Sequence, residues 1–269
     1  MSSESDIATP LIELRQVSKS YDDGRTVAVQ ATDLQVFKGE LLVLIGESGC
    51  GKTTTLKMIN RLEEPSAGEV FLDGSEVRSL DAEHLRRNIG YVFQGIGLFP
   101  HYTVADNIAV VPRLHRWSEE RIAERVEQTL DLVNLPAARF AERFPDQLSG
   151  GQQQRVGVAR ALAAQPELLL MDEPFGALDP VTRSELQEEF KQIQQQLNLT
   201  AVMVTHDMTE ALLLADRIAV MKTGELLQVG SPVELLNQPQ HAYVEEILAL
   251  PKRRADQLEQ LLHAPGDQV

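Results

Sequence analysis

The chain has 269 residues, 43% apolar and 24% charged, with a net charge of −15 and a pI near 4.8. That length holds one large domain or two small ones. So acidic a chain repels phosphate backbones, which argues against nucleic acid as the main partner. The single cysteine, Cys50, excludes an internal disulfide and a thiolate metal cluster.

Residues 1–10 are polar and acidic, without the basic and apolar regions of a secretion signal, and read as a disordered lead-in. Residues 11–17 alternate apolar and polar side chains and predict a strand, as do residues 27–36, with Asp22-Asp23-Gly24 as the turn between them. Leu41–Ile45 is a continuous apolar run stopped by Gly46, the pattern of a strand buried on both faces. From Lys52 the pattern turns helical, with Leu56, Ile59 and Leu62 at a spacing of three until Pro65 ends it. Residues 69–72 and 89–93 are further short strands.

Residues 97–164 read as a helical insertion: Ile122, Val126, Leu130 and Val133 recur at helical spacing, and so do Val156, Ala159 and Leu162. Strand and helix then alternate, with strands at 168–171 and 201–205, helices at 181–197 and 208–214, and a closing hairpin of residues 217–221 and 225–229. Such alternation predicts an α/β fold with a mainly parallel, helix-covered sheet. The longest apolar runs are far short of the ~20 residues of a membrane-spanning helix. Lys252-Arg253-Arg254 reads as a solvated basic cluster.

The run Gly46-Glu47-Ser48-Gly49-Cys50-Gly51-Lys52-Thr53 matches a phosphate-binding loop. Its glycines let backbone N–H groups turn inward around an anion, and the helix that follows points its positive end at the same place. Lys52 would meet the β- and γ-phosphates, and Thr53 would hold Mg²⁺. The strand at 168–171 runs into Asp172 and Glu173, and carboxylates at such a strand end mark a site at that edge. Asp172 would bind Mg²⁺ through water, and Glu173 would polarise the attacking water. His206, next to Asp207, ends another strand and reads equally well as a cap; Gln94 follows strand 89–93 and can place an oxygen near Mg²⁺ and water without adding charge. Leu148-Ser149-Gly150-Gly151-Gln152 opens a helix with bare amides and a hydroxyl, which is either a second anion-binding helix start or an N-cap and turn.

With these motifs in this order, residues 11–250 resemble the ATP-binding cassette (ABC) ATPases. The resemblance rests on Tyr21, the loop Gly46 to Thr53, Gln94, the LSGGQ at 148–152, the LLLMDEP at 168–174, Asp179 and His206, and none of these positions departs from the family pattern. It implies a P-loop NTPase fold with a mainly parallel RecA-like core, an antiparallel β subdomain and an inserted helical subdomain, followed by a short tail at 251–269. The implied ligands are ATP and Mg²⁺. Glu173, His206, Gln94 and Lys52 would be catalytic, and Thr53, Gln94 and Asp172 would serve the metal. Tyr21 would stack on adenine, Thr54 would join the loop residues around the phosphates, and Asp179 would sit between subunits. Ser149, Gly150, Gly151 and Gln152 would close over the nucleotide of a second copy in a head-to-tail homodimer, both of whose sites should be competent.

Within the family the resemblance is closest to importer ATPases for osmoprotectants such as glycine betaine, choline and carnitine. It is carried by residues 57–65 and by the Gly-Ile-Gly-Leu-Phe-Pro-His run after Gln94. This implies a peripheral subunit on the cytoplasmic face of a bacterial or archaeal cell membrane, working with an integral permease and a periplasmic or extracellular solute-binding protein. The stretch from Gly95 to Val104 is the expected permease contact, with core packing as the alternative. Many members of that group continue into paired regulatory CBS domains, and the roughly twenty residues after Leu250 are too few for one, so osmotic gating is not expected. The competing readings are an ATPase subunit for another solute and a soluble ABC protein outside transport.

Overall fold

The computed structural model describes residues 9–95 and 97–263. Strands β1 (Pro10–Tyr21) and β2 (Thr26–Phe37) pair antiparallel across a 3-10 turn at Asp22–Gly24. They are followed by β3 (Leu41–Ile45), α1 (Lys52–Ile59), β4 (Ala67–Leu72), β5 (Ser75–Glu76), α2 (Ala82–Arg87) and β6 (Ile89–Val92). Then come α3 (Val104–Leu114), α4 (Glu119–Leu132), α5 (Ala137–Phe140) and α6 (Gly150–Leu162). The α/β pattern returns with β7 (Leu168–Asp172), α7 (Pro180–Gln196), β8 (Thr200–Thr205) and α8 (Met208–Leu214). The hairpin β9 (Arg217–Lys222) and β10 (Glu225–Gly230) precedes α9 (Pro232–Asn237) and α10 (Ala242–His263).

Two sheets result. One is antiparallel, in the order β2-β1-β4-β5; the other has six strands in the order β10-β9-β3-β8-β7-β6, parallel except for the β9–β10 pair. The apolar runs of the central strands follow from this arrangement. Leu41, Val43 and Ile45 of β3 face a core shared with the helices, while Leu42 and Leu44 face a second core shared with α1 and the antiparallel sheet. In β7, Leu169 and Met171 face the first core and Leu168 and Leu170 the second. A strand covered on both faces cannot alternate apolar with polar residues, so it appears as a solid apolar run.

Helix starts are written locally. Thr103, Ser149, Asp179 and Ser231 cap α3, α6, α7 and α9 by accepting a hydrogen bond from a first-turn N–H, and Gln152 and Glu234 complete capping boxes. Two helices carry an internal proline, Pro112 in α3 and Pro251 in α10. α10 therefore runs through residue 251, where the sequence reading began a separate tail, to His263. Residues 1–8 of the expected disordered lead-in lie outside the described residues, and Pro10 already belongs to β1.

α7 and α8 meet around a buried carboxylate. Glu210 of α8 is 5% exposed and accepts a hydrogen bond from Gln187 of α7 at 2.9 Å. Burial raises its pKa, and bonds from Thr205 and Gln187 offset this only in part. A carboxyl with a raised folded-state pKa binds more protons folded than unfolded, so its contribution to stability falls as pH rises above the ordinary carboxylate range. Glu210→Gln should therefore gain stability relative to the wild type between about pH 4 and about pH 8. Urea melts at both ends of that range test this, and a constant or reversed difference would refute it.

Candidate active site

Strand register builds the site. Ile45 of β3 lies beside Thr205 of β8, Asp172 of β7 beside Val204, and Val92 of β6 beside Met171. The strands thus end together, and the residues that follow them emerge along one edge. That edge carries Gly46, Gln94, Glu173 and His206.

Gly46, Gly49 and Gly51 have φ of 154°, 80° and 103°. A Cβ on Gly46 would collide with the Met221 carbonyl, and one on Gly51 with the Ala28 carbonyl of β2. The loop is thus wedged between β9 and the antiparallel sheet, where glycine alone fits the backbone. Cys50 is buried, whereas Glu47, Ser48 and Gly49 form the exposed crest. Lys52 is 5% exposed, and its ammonium donates to the Gly46 and Glu47 carbonyls at 2.7 and 2.9 Å. α1 begins at Gly51 with no side-chain cap. Its first N–H groups are therefore available to an anion, which the helix dipole also favours. Thr54 follows on the first turn, partly exposed.

Thr53 Oγ1 donates to Asp172 Oδ1 at 2.8 Å, joining α1 to the end of β7. Burial raises the Asp172 pKa; the Thr53 bond and the Lys57 charge lower it, and Glu173 adds to the rise. A hydroxyl and a carboxylate form an oxygen-only pair that suits Mg²⁺. Glu173 breaks the strand pattern with φ 45°. Its N–H still donates to the Val204 carbonyl at 3.0 Å. Its Oε2 accepts from Gln94 Nε2 at 3.1 Å and lies 3.4 Å from His206 Nδ1. Three side chains from three strand ends meet on one carboxylate oxygen.

The remaining expected residues lie apart from this cluster. Ser149 Oγ accepts the Gln152 N–H at 3.3 Å, and Gln152 Oε1 accepts the Ser149 N–H at 3.0 Å. The capping reading of this stretch is thus realised, and the Ser149 hydroxyl proton and the exposed face of Gly150 stay available. A Cβ on Gly150 would meet Leu178 and one on Gly151 would collide with Thr182, so the stretch packs on the first turn of α7 and the loop before it. Asp179 caps α7, and the Thr182 bonds hold its carboxyl below its ordinary pKa. Tyr21 ends β1 at the hairpin tip, 37% exposed, with Lys19 Nζ 4.9 Å from its ring centre. After Gln94, Val104 is buried and Leu98 leans on the core, whereas Phe99 and Tyr102 are exposed.

Two features were not anticipated from sequence. Arg183, in the first turn of α7, donates to the Leu178 carbonyl at 2.9 Å and lies 3.9 Å from Asp207, which caps α8. A cation at a helix N-terminus opposes the dipole, and that anomaly was the available signal. Tyr243 and Glu246 of α10 close a cavity of about 480 Å³ against Gly46, Glu47, His206 and Asp207.

A model of the ABC transporter family matches residues 29–176. The chain is 56% identical, over 88% of its length, to the glycine betaine/carnitine/choline transport ATP-binding protein OpuCA of Bacillus subtilis, and covers 62% of that protein. It is 52% identical, again over 88%, to the glycine betaine uptake system ATP-binding protein YehX of Escherichia coli, and covers 76% of it. The chain thus spans only about three fifths of the length of the B. subtilis relative. Among solved structures, the dimeric ATP-binding cassette MJ0796 bound to ADP and Pi aligns with a TM-score of 0.72 at 35% identity, covering 82% of this chain and 98% of that one. The strand order, the shared edge and these likenesses agree, and the chain belongs to the ABC transporter family.

Proposed function

We propose that the chain binds ATP with Mg²⁺ and hydrolyses it, as the motor subunit of an importer for a quaternary ammonium osmoprotectant. The observation that carries the reading is the meeting of Gln94 and His206 on Glu173, at the sheet edge that also bears the phosphate loop. The loop amides and Lys52 would hold the phosphates; Thr53 and Asp172 would hold the metal, which would supply positive charge near the phosphate oxygens. Glu173 orients a water and takes its proton as the oxygen attacks the γ-phosphorus; the bond from that phosphorus to the β,γ-bridging oxygen breaks, and ADP leaves with the bonding pair, while Gln94 and His206 fix the carboxylate and sense the γ-phosphate. Tyr21 offers an exposed ring to adenine.

Ser149 and Gly150 are exposed, and in this reading a second copy, head to tail, completes the site with them, with Asp179 at the contact. The dimeric state of the MJ0796 cassette supports this arrangement. No helix among the described residues is long and apolar enough to cross a membrane. In this reading a permease carries the solute. It docks on the exposed Phe99 and Tyr102 at the cytoplasmic face, and a solute-binding protein delivers cargo from the other side. The names of the B. subtilis and E. coli relatives support glycine betaine, carnitine or choline as cargo.

Glu173→Gln should lower ATP turnover by about 10²–10⁴-fold, the usual worth of a general base, while leaving ATP bound. The variant should then accumulate as an ATP-dependent dimer on size exclusion, and unchanged turnover would remove Glu173 from this role. In a strain lacking the chain, accumulation of labelled glycine betaine, choline or carnitine should fall and return only with the hydrolysis-competent protein. Undiminished accumulation of all three would defeat the cargo assignment. Phe99→Ala should weaken capture of the permease by about tenfold or more, as loss of an aromatic anchor does; pull-down of the permease at wild-type level would count against docking there.

A further inference from the structure

Glu173 and His206 stand where strands give way to loops, and a residue that touches neither holds both loops. Glu173 has φ 45°, a conformation that a non-glycine residue keeps only where its surroundings enforce it. The turn that follows supplies the enforcement. The Gly176 N–H donates to the Glu173 carbonyl at 3.2 Å. A Cβ on Gly176 would lie 3.7 Å from Glu173 Oε2, so the turn abuts the carboxylate itself. Phe175 is buried and packs the turn on α7 through the Phe190 ring, with 6.3 Å between ring centres. His206 lies between two residues that are also tied. The Asp207 N–H donates to Thr205 Oγ1 at 3.0 Å, and the Asp207 carboxylate accepts the Thr209 and Glu210 N–H groups at 2.8 and 3.3 Å.

Arg183 of α7 spans the two loops. Its Nη2 donates to the Leu178 carbonyl at 2.9 Å and to the Gly176 carbonyl at 3.4 Å, in the turn behind Glu173. Its Nη1 lies 3.9 Å from Asp207 Oδ2, directly after His206. One turn further along α7, Gln187 bonds Glu210 and braces α8. Stability alone gives no reason for a cation at this position. It opposes the dipole of α7. Its ion pair is partly exposed and so worth little. Its Nε is buried with no hydrogen-bond partner among the described residues. What the guanidinium does supply is a rigid planar fork with one arm toward each loop. We infer that Arg183 is a positioning residue for hydrolysis. It holds the turn behind Glu173 and the residue after His206 at a fixed separation, so that His206 meets the Glu173 carboxylate. This rests on the proposed role of Glu173 as the base.

The test is a double-mutant cycle on the full-length chain, with ATP and Mg²⁺ as the substrate. Arg183→Gln removes both the charge and the fork, whereas Arg183→Lys keeps the charge but not the fork. Each is made alone and together with Glu173→Gln, and the Lys variant carries the cycle should the Gln variant fail to fold. Alone, each should lower kcat by about tenfold to a hundredfold with KM unchanged, the cost of a catalytic group misplaced by up to about 1 Å. On the Glu173→Gln background neither should lower the residual rate further, because a residue that acts through Glu173 then has nothing left to position. Losses that multiply in the double variants would overturn the inference and mark a merely structural role. Wild-type kcat in the single variants would overturn it too. Full turnover by Glu173→Gln alone would instead remove Glu173 as the base, and this inference with it.

Discussion

The structure depends on one constraint, the common register of parallel strands buried on both faces. β3, β6, β7 and β8 cannot slip by a residue without exchanging the two cores that their alternate side chains occupy. Because the register is so strongly held, their ends are level, and whatever follows each strand arrives at the same edge. Gly46 starts the phosphate loop there, Glu173 turns out through a left-handed backbone, and Gln94 and His206 reach its carboxylate from either side. Precision at the proposed site is thus supplied by apolar packing several residues below it.

Two helix starts in the chain solve the problem of unsatisfied N–H groups differently. α6 answers it internally, with the reciprocal bonds of Ser149 and Gln152. α1 is capped by Gly51, which has no side chain to offer, and leaves its first amides open to an external anion. The first keeps its shape without a ligand; the second leaves N–H groups open to one. The antiparallel sheet serves the cradle by packing the Ala28 carbonyl against Gly51, and the Gly224 N–H donates to the Cys50 carbonyl beside it.

Most of the regular structure was legible because the local pattern and the tertiary surroundings agree. The solid apolar runs of β3 and β7 and the period of α7 each state what they pack against. Where the pattern was silent, the helices are short or carry an internal proline. α3 holds Pro112 and α10 holds Pro251, residues that interrupt a helical reading even though their neighbours pack well enough to keep the helix. α10 is held from outside itself: Tyr243 and Val244 are buried, and Lys222 of β9 covers the Tyr243 ring at 4.3 Å.

What the sequence alone determined is local structure that lives in a few consecutive residues: the glycine-rich turn at 46–51 before α1, the Ser-Gly-Gly helix start, and the carboxylates that end β7. Such motifs are local because backbone geometry over one turn decides them. Only the tertiary structure decided that Gln94, Glu173 and His206 share one oxygen, that Gly150 and Gly151 pack on Leu178 and Thr182, and that Asn107 and Arg160 grip the stretch after Gln94. Those meetings join residues dozens of positions apart. They follow from strand register and helix packing, which are collective results of filling two cores, and no short stretch of sequence states them.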